Sequence, residues 1–194
     1  RAMQLAVPVG QGAMAAILGL EDAKIEALCR MATELAKKNR RNSQEIELSQ
    51  LSVEPTVEPA NFNAPGQTVV AGSKDAVDCT LLCLNQEPFR EGRAIPLSVS
   101  SPFHCSLMAP ARKQMAEFFS QARAHELPLP PLFPYLPNRT ARLTQEAGLI
   151  LNLLEEQIDH PVQWRQSIQA LLTRHDLPEP LTFVEFGPGK VLQG

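Results

Sequence analysis

Aromatic residues make up only 5% of the 194 residues, with one tryptophan and one tyrosine. Three segments that read as strands, residues 13–18 (AMAAIL), 68–72 (TVVAG) and 93–99 (RAIPLSV), contain none at all. RNA-recognition sheets stack bases on strand aromatics, so this absence argues against that class. Positive charge is not in excess either. Eighteen Lys and Arg stand against 21 Asp and Glu, a formal net charge of -3, whereas a general nucleic-acid binder needs a basic footprint. No apolar run approaches the roughly 20 residues that span a bilayer, and no secretory signal pattern opens the chain. The four cysteines, Cys29, Cys79, Cys83 and Cys105, lack the paired spacing of a zinc site. Cys79 and Cys83 share one helix face with no histidine nearby, which reads as buried thiols in a reducing compartment. No metal, nucleic-acid or membrane partner is therefore expected, and the cytoplasm is the expected location. The chain opens at Arg1 rather than methionine, which raises the expectation that the start of the protein lies elsewhere.

What is present is ordinary globular composition, 44% hydrophobic and 20% charged. After the strand at 13–18, residues 21–38 space Ile25, Leu28, Ala32 and Leu35 three or four apart, which predicts an amphipathic helix. Lys37, Lys38, Arg40 and Arg41 close it as a solvated, dipole-complementing end. Residues 39–59 turn polar, with Pro55 and Pro59, and read as a loop leading into a strand near 51–57. Asn61, Asn63 and Gln67 fall in a turn cluster at 61–67. The strand at 68–72 follows, then a helix from Ser73 or Lys74 to about Asn85, with Asp75 in its first turn. The strand at 93–99 completes a strand, helix, strand, strand, helix, strand order, that of a split βαβ, ferredoxin-like unit.

In the second half, Met108, Ala111, Met115, Phe118 and Ala122 step by three and four, the clearest amphipathic helix of the chain. Residues 126–138 are proline-rich and extended. A helix is predicted over 144–157, and another with Pro161 in its first turn and Asp159 or His160 as cap. Residues 182–186 (TFVEF) read as a buried strand, followed by Gly187, Pro188, Gly189 and Lys190. That glycine pair could bring backbone N–H groups to an anion, but it is neither a dinucleotide fingerprint nor a P-loop, and a tight strand-to-helix turn is the better reading.

His104 sits between a strand-like run and an amphipathic helix, on a turn that could project its ring into a cleft. Imidazole is the usual general base for a serine or cysteine nucleophile, although a capping histidine fits the same pattern. Cys105 is adjacent, but neighbours on a turn point apart, so a packing role suits it better. Asn61, Asn63 and Gln67 offer amides for a polar pocket or for the turn itself. His125, His160 and His175 have no informative partner spacing.

Residues 100–108 (SSPFHCSLM) resemble the histidine motif of malonyl-CoA:acyl-carrier-protein transacylases. Residues 3–20 (MQLAVPVGQGAMAAILGL), 61–72 (NFNAPGQTVVAG), 160–164 (HPVQW) and 185–192 (EFGPGKVL) resemble further segments of that family in the same order. The resemblance implies an α/β fold: residues 1–12 ending a large-domain helix and its linker, residues 13–98 a ferredoxin-like small subdomain, and residues 99–194 the C-terminal portion of an α/β-hydrolase-like acyltransferase core. Residues 37–57 look like an insertion relative to shorter members. It implies ping-pong transfer of malonyl from coenzyme A to the phosphopantetheine thiol of acyl-carrier protein, in fatty-acid synthesis, by an enzyme that is a monomer when complete and needs no cofactor beyond its substrates. Within it His104 matches the general base and Gln157 the position that ties the imidazole. Asn61 and Asn63 match a substrate-binding segment. Phe103 is a bulky neighbour of the base that accompanies malonyl in related acyltransferases. The close relatives are the acyltransferase domains of polyketide and fatty-acid synthases, and a non-catalytic binding module built on the same fold is a further reading.

Two departures stand out. The family's GHSxG segment, which carries the nucleophilic serine, is absent, and the arginine that pairs the malonyl carboxylate also falls outside the chain. Gln11 and Gly12 belong to a different segment from the family's oxyanion GQG. These 194 residues alone are therefore expected to be inactive and to expose apolar surface.

Overall fold

A computed structural model describes residues 1–42, 52–125, 129–177 and 180–187, with side chains of 122–125 left out. It is a mixed helix and sheet structure built around a small antiparallel sheet. Strands β1 (Gly12–Leu18), β2 (Val57–Ala64), β3 (Gln67–Ser73) and β4 (Arg93–Pro96) lie in the order β2-β3-β1-β4. All three pairings are antiparallel. Helix α1 (Ala2–Ala6) precedes the sheet. Helices α2 (Asp22–Asn42) and α3 (Lys74–Cys83) follow β1 and β3.

Period-two alternation sends the two sides of each strand to different partners. Ala15 and Ile17 of β1 and Val70 of β3 face Ile25, Leu28 and Ala32 of α2 and Val77 and Cys83 of α3 in one buried cluster. Met14, Val69 and Ala71 face the other way, onto Cys105, with Phe103 and Leu107 packed alongside. The His104 segment therefore occupies the face of the sheet that the two helices leave open. Gly12 is required for this, because a Cβ there would come within 2.4 Å of the Pro102 ring. At the β2–β3 hairpin, Ala64 pairs with Gln67, and Gly66 takes φ +67, which suits a residue without a Cβ.

Residues 106–108 form one 3₁₀ turn, which feeds helix α4 (Ala109–His125). Helices α5 (Ala147–Glu156) and α6 (Trp164–Leu172) complete the second half. A third cluster joins Val7, Met108, Ala111 and Ile158, with Ala2, Met3 and Ala6 of α1 packed against it.

Several sequence expectations are corrected. The first long helix runs to Asn42, so residues 39–42 are helical rather than part of the polar loop expected over 39–59. Arg40 is not a solvated end: its guanidinium bonds both Asp75 oxygens, at 2.6 and 3.0 Å, and the Val53 carbonyl at 2.5 Å. Strand β2 covers 57–64 rather than 51–57, and residues 43–51 lie outside the described residues. Asn61 and Asn63 consequently sit on a strand rather than in a turn, and only Pro65 and Gly66 are left between the paired residues Ala64 and Gln67. The reason is tertiary. Ala60 accepts from Val162 N–H at 2.8 Å and Phe62 N–H donates to Val162 O at 2.9 Å, so a partner distant in sequence extends the ladder of β2.

That same bonding holds Pro161 and Val162 extended, and helix α6 starts at Trp164 with Gln163 as its N-cap rather than Asp159 or His160. The helix expected over 144–157 begins at Ala147, because Thr144 instead exchanges two 2.9 Å backbone bonds with Tyr135. Residues 182–186 form neither a strand nor a buried segment. Phe186 is 93% exposed, and among the described residues no strand lies beside it to accept a ladder. Residues 188–190 of the glycine turn lie outside the described residues.

Candidate active site around His104

The backbone of His104 is held at φ +60, a left-handed conformation that is uncommon for residues with a Cβ and recurs at functional turns. Buried Pro102 lies two residues before it and the 3₁₀ turn follows it. Glu58 of β2 fastens that turn to the sheet. Its two carboxylate oxygens accept from the Ser106 amide at 2.9 Å and the Ser106 hydroxyl at 2.5 Å. An acidic side chain bonded to a first-turn amide caps the helical segment beginning there.

The ring is fixed at its other end by α5. His104 Nδ1 lies 2.7 Å from the backbone carbonyl of Gln157, the C-cap residue of that helix. A helix leaves its last carbonyls without internal partners, so this oxygen is free to accept. A carbonyl cannot donate, so Nδ1 carries the proton and Nε2 carries the lone pair. The oxygen also lies at the negative end of the helix, where a cation is favoured. An imidazole so held presents Nε2 as a proton acceptor.

Gln157 thus meets His104 through its main chain. Its side chain serves elsewhere: Oε1 accepts from Asn138 Nδ2 at 3.4 Å, while the Asn138 carbonyl accepts from Gln163 N–H at 2.7 Å. Phe103 packs between the sheet-facing cluster and the cluster of Met108 and Ile158. Asn61 stands opposite Val69 on β2 and bridges Val162. Neither Asn61 nor Asn63 joins the hydrogen bonds that hold the ring. Cys105 is fully buried, its thiol donating to the Pro102 carbonyl at 3.1 Å. Burial pushes that thiol up to about 12, which leaves no thiolate for nucleophilic attack. Among the described residues no cluster of three or more His, Cys, Asp or Glu could hold a metal, and no helix is long and apolar enough to cross a membrane.

Sequence reading missed Glu58 and Asn138. Neither carries a local signal for this role, since the site residues they hold, Ser106 and Gln157, lie 48 and 19 positions away.

No protein-family model matches the chain. Over 192 residues, 99% of its length, it is 36% identical to the malonyl CoA-acyl carrier protein transacylase of Escherichia coli strain K12 and 34% identical to that of Bacillus subtilis strain 168. This chain is homologous to about half of a malonyl CoA-acyl carrier protein transacylase. It spans 53% of the Escherichia coli protein and 52% of the Bacillus subtilis one. Solved structures agree. An acyl-carrier-protein S-malonyltransferase from Burkholderia pseudomallei 1710b superposes with a TM-score of 0.70 at 32% identity, over 88% of this chain and 48% of that one. A type II polyketide synthase acyl-carrier protein has been solved in complex with its malonyl-transacylase, and the match there has a TM-score of 0.68 at 32% identity, over 88% of this chain and 47% of that one. The transacylase resemblance first carried by SSPFHCSLM and HPVQW thus extends over nearly the whole chain. In the structure those two segments are the His104 turn and the extended piece that lengthens β2.

Proposed function

We propose that this chain is the histidine-bearing part of a cytoplasmic malonyl-CoA:acyl-carrier-protein transacylase, with His104 as general base and Gln157 as the group that orients it. The observation that carries this reading is the 2.7 Å contact from His104 Nδ1 to the Gln157 carbonyl, together with the homology. In a serine-protease triad a carboxylate ties one ring nitrogen so that the other faces the nucleophile. Here a helix-end carbonyl fills that position. Residues 13–98 serve as the ferredoxin-like subdomain, a role that suits the β2-β3-β1-β4 order with both helices on one face. Residues 99–194 contribute to the hydrolase-like core.

The chemistry uses one proton relay twice. His104 Nε2 accepts the proton of a serine supplied from outside these 194 residues as its oxygen attacks the malonyl thioester. The proton then goes to the departing coenzyme A thiolate. In the second half-reaction the phosphopantetheine thiol of acyl-carrier protein gives its proton to Nε2, its sulfur attacks the malonyl-serine ester, and the proton returns to serine. No further cofactor enters this balance. Phe103, wedged beside the base, limits bulk at the malonyl α-carbon, and Asn61 and Asn63 contribute to the substrate segment.

Intact-mass spectrometry of the protein with malonyl-CoA tests the reading. A malonyl adduct is expected on a serine beyond residues 1–194, and His104→Ala should slow its formation about 10²- to 10⁴-fold. An adduct within residues 1–194, or one formed equally fast by His104→Ala, would overturn it.

A further inference from the structure

The His104 ring depends on the placement of one backbone carbonyl, and a carbonyl has no side chain of its own to steer it. Its position is set by the turn that follows α5, residues 157–160. Apolar packing contributes there, with Ile158 among Met108 and Ala111, but apolar contact is non-directional. Directional bonds act on Gln157 itself, whose N–H donates to the Leu153 carbonyl at 3.0 Å and whose side chain accepts from Asn138 at 3.4 Å, and again at Asp159, the residue after Ile158. The Asp159 side chain is only 10% exposed. Its two oxygens accept from Arg112 Nη1 at 3.3 and 3.4 Å, and Oδ1 also accepts from His160 Nδ1 at 2.6 Å. His160 Nδ1 additionally lies 2.9 Å from the Glu156 carbonyl, which returns the bonding to the end of α5. Glu156 itself pairs with Arg139 at 3.4 Å.

Arg112 stands on α4, the helix that the His104 turn leads into. The Arg112–Asp159 pair therefore links the element carrying the imidazole to the residue two past the carbonyl that receives it. Asp159 is largely out of water, and Arg112 and His160 bond its carboxylate there. Removing either partner drives such a carboxylate, and the backbone attached to it, toward solvent.

We propose that Asp159, held by Arg112 and His160, is a positioning residue that sets the Gln157 carbonyl against His104 Nδ1 and thereby keeps the ring in the tautomer with Nε2 free. The catalytic consequence rests on His104 acting as the base; the structural clamp does not.

Long-range ¹H–¹⁵N NMR of the histidine side chains reads the tautomer directly. His104 is assigned by comparison with His104→Ala, and the wild-type ring should show the single Nδ1–H form. Asp159→Asn and Arg112→Met should shift its two nitrogens toward tautomer-averaged values, and Arg112→Lys, which keeps the cation, should largely restore the wild-type pattern. In malonyl transfer the first two variants should lose kcat by roughly 10²-fold, as small misplacements of a catalytic group do, with KM for malonyl-CoA unchanged. Thermal melts identify any variant that has failed to fold, and Arg112→Met, at the more exposed end of the pair, provides a second variant for the comparison. A folded Arg112→Met or Asp159→Asn with unchanged His104 nitrogens would overturn the proposal. A full-length protein that carries the serine yet shows no malonyl transfer, and whose His104 nitrogens still follow Asp159, would support the clamp and remove the functional reading.

Discussion

At Cys105 the thiol donates to the Pro102 carbonyl and burial pushes its pKa up to about 12. Cys29 and Cys79 are likewise raised, to about 12 and about 11, with burial as the first cause. All four cysteines are free and buried. Thiol-specific labelling of the folded chain at pH 8 should therefore be slow at every position and reach four thiols only after denaturation. Rapid labelling of Cys105 in the folded protein would contradict its packing role. Asp75 behaves differently. Burial pushes its carboxyl up, but bonds from the Arg40 and Ser73 side chains and the Arg40 charge outweigh it and hold the group below 3.8. A depressed folded pKa stabilises the fold fully above the unfolded value and is lost as pH falls through the folded one. The stability gap between wild type and Asp75→Asn should thus be constant near neutrality and narrow below pH 3.8 in chemical denaturation. A gap that widens with acid would reverse the assignment.

Among the elements, the 3₁₀ turn after His104 is fastened to the sheet by the Glu58 carboxylate on Ser106. Glu58→Gln keeps the shape and removes the charge that favours a helix start. It should lower stability by about 1 kcal/mol, as for other lost caps, in urea unfolding with an unchanged m-value. No loss would mean that packing of Leu107 and Met108 alone holds the turn. Elements with a strong internal period were the legible ones: α2 and α4 fall where the spacing of Ile25, Leu28 and Ala32 and of Ala111, Met115 and Phe118 places them. Those settled by distant bonding were not. Asn61 looked like a turn residue because nothing near it in sequence announces Val162, and α6 starts late for the same reason.

For the whole molecule, the packed surface is unevenly distributed. Leu132 is 91% exposed, and Phe133, Phe183 and Phe186 are also exposed. Exposed large apolar side chains offer binding surface to an apolar dye. The isolated 194-residue chain should bind the dye ANS in its folded state, and negligible dye fluorescence would show these side chains to be covered by self-association.

Composition showed no excess of positive charge and no bilayer-length apolar run, helix periods located the long helices, and the order of motifs pointed to the family. These are properties of neighbours along the chain and of total charge, which the amino-acid order states directly. The tertiary structure alone decided that Gln157 meets His104 through its main chain, that Glu58 caps the His104 turn, that Asp159 turns toward Arg112, and that residues 182–186 stand exposed. Each of these depends on groups brought together from 47 or more positions apart or, for 182–186, on the absence of an adjacent strand among the described residues. Backbone carbonyls are chemically identical at every residue, so only the fold selects which one receives the imidazole.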